Sequence, residues 1–223
     1  MRALIFDLDG TLVDTVYAHS FAWWQVLQEA GLPVPGWKVH RLIGMSGGLI
    51  TKAASHEVGR DLSEDDEQRL QKRHGELYKK LLPVRTPLPG ALDLLRHLDE
   101  AKIKYGIATS GKRQDAAASL DVLNLPGDTV IIDRTAVERA KPEPDLFLAC
   151  QEKLGVSPAE CYVVGDAVWD LLAARRAGML GIGLLSGGYG EQELSQAGAY
   201  RVYSDPAELL AQFYQLGLRA SSG

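Results

Sequence analysis

The sequence predicts an α/β protein: a doubly wound parallel sheet core with one inserted, purely helical domain. Three observations carry that expectation. Short apolar runs recur along the chain, each ending in an acid, a hydroxyl residue or glycine. Helical periodicities separate them, and strands alternating with helices build a parallel sheet covered on both faces. One long stretch, 15–85, has helical periodicity throughout and no run that reads as a strand.

The elements follow in chain order. Residues 2–6 are a short apolar run meeting Asp7, the pattern of a buried strand. Within 15–85, Phe21, Trp24, Val26, Leu27 and Ala30 suggest one helix, 39–43 a second, 49–58 a third and 63–82 a fourth. The acidic run 64–67 reads as a solvated first turn, favoured there by the helix dipole. Trp37 reads as buried packing. The breaks at 31–36 and 83–90 are rich in glycine and proline, which is loop chemistry. Leu92, Leu95 and Leu98 then recur at helical spacing. Strands are expected at 105–108, 130–132, 161–164 and 181–185, with a weaker one at 200–203. Helices are expected around Leu146–Leu154 and Leu171–Arg175, the latter stopping near Gly178. The predicted domains are therefore 1–14 with 86–223, and 15–85.

Composition removes several functions. The chain has 223 residues, 46% of them hydrophobic and 24% charged, an ordinary globular mix long enough for a real core. Its 24 Lys+Arg face 29 Asp+Glu, a formal net charge of −5. With no basic block, nucleic acid is not an expected partner, since phosphate contacts dominate that affinity. No charge-free apolar run approaches the roughly 18 residues of a membrane helix. The N-terminal run meets Asp7 too soon for a signal peptide. Cys150 and Cys161 form neither a disulfide framework nor a zinc site. A cytoplasmic protein with free thiols, working as a monomer on a small molecule, is expected.

In such sheets ligands bind beyond the carboxyl ends of the strands. The residues there are Asp7 and Asp9 after the first strand, Thr109 and Ser110 after the second, and Asp166 and Asp170 after the fourth. Lys141 lies in the loop before the helix near Pro144. Four acids gathered on one edge repel unless a cation binds among them. Oxygen ligands with water and phosphate oxygens are what Mg²⁺ prefers. Gly10 would let backbone amides approach an anion. An EF-hand reading of 7–14 fails, because the sixth loop position is Leu12 and not glycine. Gly181-x-Gly183-x-x-Ser186 is a weak echo of a dinucleotide loop, placed after the wrong strand.

Taken together, order and placement resemble the haloacid dehalogenase superfamily of phosphotransferases, over essentially the whole chain. Asp7-Leu8-Asp9-Gly10-Thr11 resembles its first motif, Thr109 its second, Lys141 its third, and Gly165-Asp166-x-x-x-Asp170 its fourth. The insertion at 15–85 resembles the small cap of the phosphoglycolate phosphatase and β-phosphoglucomutase branch. The resemblance implies a Rossmann-like core with an α-helical cap domain, and phosphoryl transfer through an aspartyl-phosphate. Asp7 would be the nucleophile and Asp9 the general acid and base. Mg²⁺ would sit on Asp7, Asp9 (through its carbonyl) and Asp166, with Asp170 orienting waters or Lys141. Thr109, Ser110, Lys141 and the Gly10 amide would grip the phosphoryl oxygens. Dehalogenases of this fold lack the second acid, so Asp9 favours phosphoryl transfer.

The resemblance also frames the choice between hydrolysis and mutation. His19, in Asp14-Thr15-x-x-x-His19, and Lys112 match the mutase branch. The mutase cap, however, carries an arginine in Gly-x-Ser-Arg, and here Gly44-Met45-Ser46 is followed by Gly47. Hydrolysis of a small phosphate ester is the expected activity, with mutation the alternative. The expected cap contacts are His19, Arg41, Ser46 and the 41–48 loop, with the cap closing to exclude water. A non-enzymatic receiver-like phosphoacceptor is a remote alternative. It would share acids, Thr/Ser, Lys and Mg²⁺, but not the Asp7-x-Asp9 pair or the helical insertion.

Overall fold

The computed structural model describes residues 3–218. The chain divides into two compact units, Met1–Asp14 with Thr86–Gly223, and Thr15–Arg85. The first holds a six-stranded, all-parallel sheet of β1 (Ala3–Phe6), β2 (Lys104–Ala108), β3 (Val130–Ile132), β4 (Cys161–Gly165), β5 (Leu180–Leu184) and β6 (Ala199–Tyr203). Its order is β3-β2-β1-β4-β5-β6. Strand order reverses between β1 and β4, so the crevice for a ligand opens at their carboxyl ends.

Side chains of a strand alternate between faces, and the core follows that period. Leu4 and Phe6 of β1, with Tyr162 and Val164 of β4, face one hydrophobic cluster. Ala3, Ile5, Cys161 and Val163 face the other. The first cluster is covered by α5 (Ala91–Glu100), α6 (Arg113–Asp121) and α10 (Pro206–Ala211), through residues such as Leu94, Leu98, Leu120 and Leu209. The second is covered by α7 (Asp145–Leu154) and α8 (Val168–Arg176), through Leu146, Phe147, Cys150, Ala173 and Ala174. A short α9 (Glu191–Ala197) packs with Leu171 of α8 in a smaller cluster. Both cysteines are free and buried. Burial raises the Cys161 thiol to about 11 and lifts Cys150 further, so both act as core groups rather than nucleophiles.

The second unit is helical: α1 (Val16–Glu29), α2 (Gly36–His40), α3 (Gly47–Val58) and α4 (Glu64–Leu81). Its core joins Trp23, Val26 and Leu27 of α1 to Val39, Ile50, Ala54, Leu70 and Leu77. Ser63 caps α4 by accepting from the Asp66 amide, and 64–67 form its acidic first turn as expected.

Several sequence expectations need correction. Phe21 and Trp24 lie toward solvent, while Ala22 and Trp23 point inward; an aromatic pattern alone misplaced the buried face. Trp37 is 67% exposed rather than packed. The inward stripe of α5 runs through Ala91, Leu94, Leu95 and Leu98, and Leu92 is on the rim. The second helix of this unit starts at Gly36, three residues early, because its first turn follows Pro35. Helices α6, α9 and α10 are not among the elements expected from the sequence. Asp205 caps α10 with Pro206 in its first turn, a start signal that was present in the sequence.

Among the described residues, no helix is long and apolar enough to cross a membrane.

Candidate active site

The site is built where the strands stop. The Asp7 amide donates to Val164 O at 2.9 Å, and the Thr109 amide to Ile132 O at 3.0 Å. Each extends its ladder by one bond, so both residues are held as rigidly as the sheet. Asp7 is buried, Thr109 buried and Asp9 half-buried. Gly10 has φ 84°, the left-handed region that glycine enters without a Cβ penalty. The Ser186 hydroxyl, just after β5, donates to Gly10 O at 2.6 Å and fixes that turn.

Asp166 leaves β4 buried beside Asp7. The Thr11 hydroxyl donates to Asp166 Oδ1 at 2.7 Å. Two close approaches make room for this cluster. A Cβ on Gly165 would lie 2.3 Å from Asp170 Cβ, and one on Gly187 2.1 Å from Asp166 Oδ2. Only glycine leaves both carboxylates where they are. Asp170 opens α8 and accepts from the Ala167 amide at 3.1 Å.

Lys141 is fully buried. Its Nζ lies 2.5 Å from Asp7 Oδ1 and 2.8 Å from Asp170 Oδ1, and 5.1 Å from the Phe147 ring centroid. Burial alone would lower the lysine's pKa. The Asp170 and Asp7 charges outweigh it and hold the ammonium above its usual range. Burial pushes the Asp7 carboxyl up to about 7, against the pull of Lys141 and with the push of Asp170. Burial, then the Asp170 and Asp7 charges, raises Asp166 well above the carboxylate range.

Asp7, Asp166 and Asp170 bring carboxylate oxygens within 4.8 Å of one another, all buried. Three acids share one lysine, so the cluster, when fully ionised, carries more negative charge than its own cation offsets. Hard oxygen donors in that state suit a divalent cation. The residues fit such an ion by donor type and by charge.

The remaining expected residues are placed as follows. Ser110 is half-buried and follows Thr109, whose hydroxyl accepts from the Gly111 amide at 3.1 Å. Lys112 is the exposed N-cap of α6, outside its first turn. His19, Arg41 and Ser46 all belong to the helical unit. His19 lies face to face with Tyr78 at 3.7 Å between centroids, and its Nδ1 is 3.1 Å from His74 Nε2. Ser46 is buried at the start of α3, and Arg41 is half-buried at the end of α2. Thr11 and Ser186 had no role in the sequence reading. Thr11 was inside the first motif, and Ser186 was seen only as the end of a weak dinucleotide echo. Ser186 lies just past β5, a strand end of the kind that also carries Asp7, Thr109 and Asp166.

Comparison with known proteins agrees with this geometry. Residues 1–178 match the family model "haloacid dehalogenase-like hydrolase". The chain is 34% identical over 202 residues to a β-phosphoglucomutase of Bacillus subtilis, covering 84% of each. It is 31% identical over 217 residues to a phosphoglycolate phosphatase of Rhodospirillum rubrum, covering 93% of this chain and 89% of that one. A crystal structure of a hydrolase from Pseudomonas syringae superposes with TM-score 0.93 at 45% identity, over 97% of this chain and 99% of that one. With the parallel sheet, the strand-end acids and the buried lysine, these matches mean that the chain belongs to the haloacid dehalogenase-like hydrolase family, as an enzyme among its phosphatases and phosphomutases.

Proposed function

We propose that the chain is a Mg²⁺-dependent phosphomonoester hydrolase that acts on a small organic phosphate, of the phosphoglycolate or sugar phosphate type, through an aspartyl-phosphate on Asp7. The observation that supports this best is the buried set of Asp7, Asp166, Asp170 and Lys141. It joins a carboxylate nucleophile to a fixed cation and to a charge deficit that a metal would fill.

In this reading Asp7, the Asp9 carbonyl and Asp166 would hold Mg²⁺, and Asp170 would orient Lys141, which it meets at 2.8 Å, or waters on the ion. When bound, the cation supplies positive charge that lets an anionic phosphoryl group approach a carboxylate. Asp7 supplies the oxygen that attacks phosphorus. The Lys141 ammonium orients that carboxylate through its 2.5 Å contact and takes up charge on the phosphoryl oxygens. The Thr109 hydroxyl and the Gly10 and Ser110 amides bind those oxygens. Asp9 gives a proton to the leaving alkoxide, then accepts one from the attacking water. The helical unit is the cap domain, with His19, Arg41 and Ser46 as its candidates for substrate contact and Lys112 as the core's. The enzyme acts as a cytoplasmic monomer.

Hydrolysis is favoured over mutation by Gly47. A mutase retains a bisphosphate intermediate and needs a second phosphate grip. At the place of its arginine, a Cβ on Gly47 would lie 3.0 Å from Gln71 Cγ and 3.2 Å from Trp23 Cζ2. A side chain at this position would require Gln71 or Trp23 to give way by a few tenths of an ångström. The 34% identity to a named β-phosphoglucomutase keeps mutation as the second reading.

The test is turnover of p-nitrophenyl phosphate with and without Mg²⁺ by wild type and Asp7→Asn, followed by phosphoglycolate, hexose phosphates and β-glucose 1-phosphate. Phosphate release that needs Mg²⁺ and Asp7 is expected. Isomerisation of β-glucose 1-phosphate with little phosphate release would replace hydrolysis by mutation.

A further inference from the structure

Lys141 hangs from a loop. Residues 137–144 contain neither helix nor strand, yet the ammonium they carry has to stay within ångströms of Asp7 and Asp170. Loops are mobile unless their backbone groups are tied down. The ties here come largely from arginine side chains. Arg134 donates to Val137 O at 2.6 Å and Glu138 O at 3.1 Å, upstream of the lysine. Arg139 makes a two-pronged contact with Asp145, at 3.2 Å from Nε and 3.0 Å from Nη2. Glu143 N donates to Ala140 O at 3.0 Å, closing a turn around Lys141 and Pro142.

Arg176 is the last residue of α8. Its Nη1 donates to Pro142 O at 2.9 Å and lies 2.9 Å from Glu143 Oε1. Helix α8 also carries Asp170 in its first turn, where it meets the Lys141 ammonium. The loop is therefore fastened to one helix at two points. Asp170 holds the tip of the lysine, and six residues on, roughly 9 Å along the axis, Arg176 holds the backbone beside it.

We propose that Arg176 is a positioning residue for Lys141, acting through its hydrogen bond to Pro142 O. The proposal rests on the phosphatase reading. The bland alternative is a surface ion pair with Glu143, since the two side chains are 46% and 37% exposed, and such pairs contribute little. The carbonyl bond differs in kind. It fixes the main chain next to a group whose misplacement by about 1 Å can cost on the order of a hundredfold in rate.

Arg176→Met, Arg176→Lys and Glu143→Gln separate these roles. Hydrogen exchange of the 137–148 amides, followed by mass spectrometry in the full chain, reads the brace without using activity. In Arg176→Met these amides should exchange about fivefold faster or more, with β1 and β4 unchanged. Steady-state hydrolysis of p-nitrophenyl phosphate with Mg²⁺, well below each variant's Tm, reads the consequence. For Arg176→Met, kcat should fall about tenfold while KM stays within about twofold. Arg176→Lys, which keeps a donor, should recover most of the loss, and Glu143→Gln should behave as wild type. Unchanged loop exchange in Arg176→Met overturns the proposal, as does a Glu143→Gln variant that reproduces the kcat loss. A wild type with no turnover would instead sink the phosphatase reading, and the exchange arm alone would then decide whether Arg176 braces the loop.

Discussion

Lys141 Nζ and Asp170 Oδ1 stand 2.8 Å apart with neither side chain exposed to solvent. A buried pair of this kind is weak evidence for stability, because desolvating two charges is expensive. Removing one partner is another matter, for it strands the other charge. With Lys141 gone, Asp7, Asp166 and Asp170 would share a buried site with no cation of the chain's own. Lys141→Met should therefore lower the unfolding free energy of the metal-free protein by about 3–5 kcal/mol. It should also abolish aryl phosphate turnover. Urea unfolding with and without Mg²⁺ checks this, and Mg²⁺ should return part of the loss. A variant as stable as wild type without metal would mean that the acids are neutralised by protons and not by the lysine.

Asp7 gives a prediction of opposite sign. Its carboxyl is raised from 3.8 to about 7 in the folded state. The folded protein then holds a proton that the unfolded chain has released, so this group's contribution to stability is complete below about pH 4. It is lost as pH rises toward 7. Asp7→Asn removes that liability while keeping an acceptor for Lys141. Without metal, Asp7→Asn should melt several degrees above wild type at pH 8, and the gap should close toward pH 4. Thermal scans at the two pH values decide it. Equal Tm at pH 8 would show that the lysine already compensates the ionised carboxylate in full.

The same shifts couple metal to protons. Asp7 and Asp166 both hold their protons above the usual carboxylate range, and a cation binds the deprotonated forms. Mg²⁺ binding at pH 6 should release on the order of one proton, and apparent affinity should rise between pH 6 and 8. Calorimetric titration in two buffers of different ionisation enthalpy measures the release. Identical heats in both buffers would mean that Asp7 and Asp166 are ionised before the metal arrives.

The strand-end rule explains why the main residues of the candidate site can be read from the sequence. An apolar run ending in Asp7 states both the strand and the place where chemistry can sit, and the same holds for Thr109 and Asp166. Lys141 was found by resemblance, since a lysine in a Lys-Pro-Glu-Pro loop looks like surface until tertiary structure buries it completely. Trp37 and Trp24 failed for the converse reason. Large aromatic residues suggest burial, but which face a short helix turns inward depends on neighbours remote in sequence. The two-point attachment of the lysine loop was invisible for the same cause: Arg176 meets Pro142 across 34 residues.

Thr11 tests how finely Asp166 is held. Its hydroxyl is fully buried and donates to Asp166 Oδ1 at 2.7 Å, so it fixes which oxygen of that carboxylate faces the cluster. Groups that orient a metal-binding carboxylate in this way typically change affinity by about 10–100-fold when removed. Thr11→Val keeps the shape and deletes the donor; Thr11→Ser keeps the donor and deletes a methyl group. Thr11→Val should raise the Mg²⁺ concentration for half-maximal activity by at least about tenfold, while Thr11→Ser should stay close to wild type. Both should show similar modest losses in Tm, because each disturbs one buried side chain. A Mg²⁺ requirement that shifts equally in the two variants would assign the effect to packing and take from Thr11 any part in orienting Asp166.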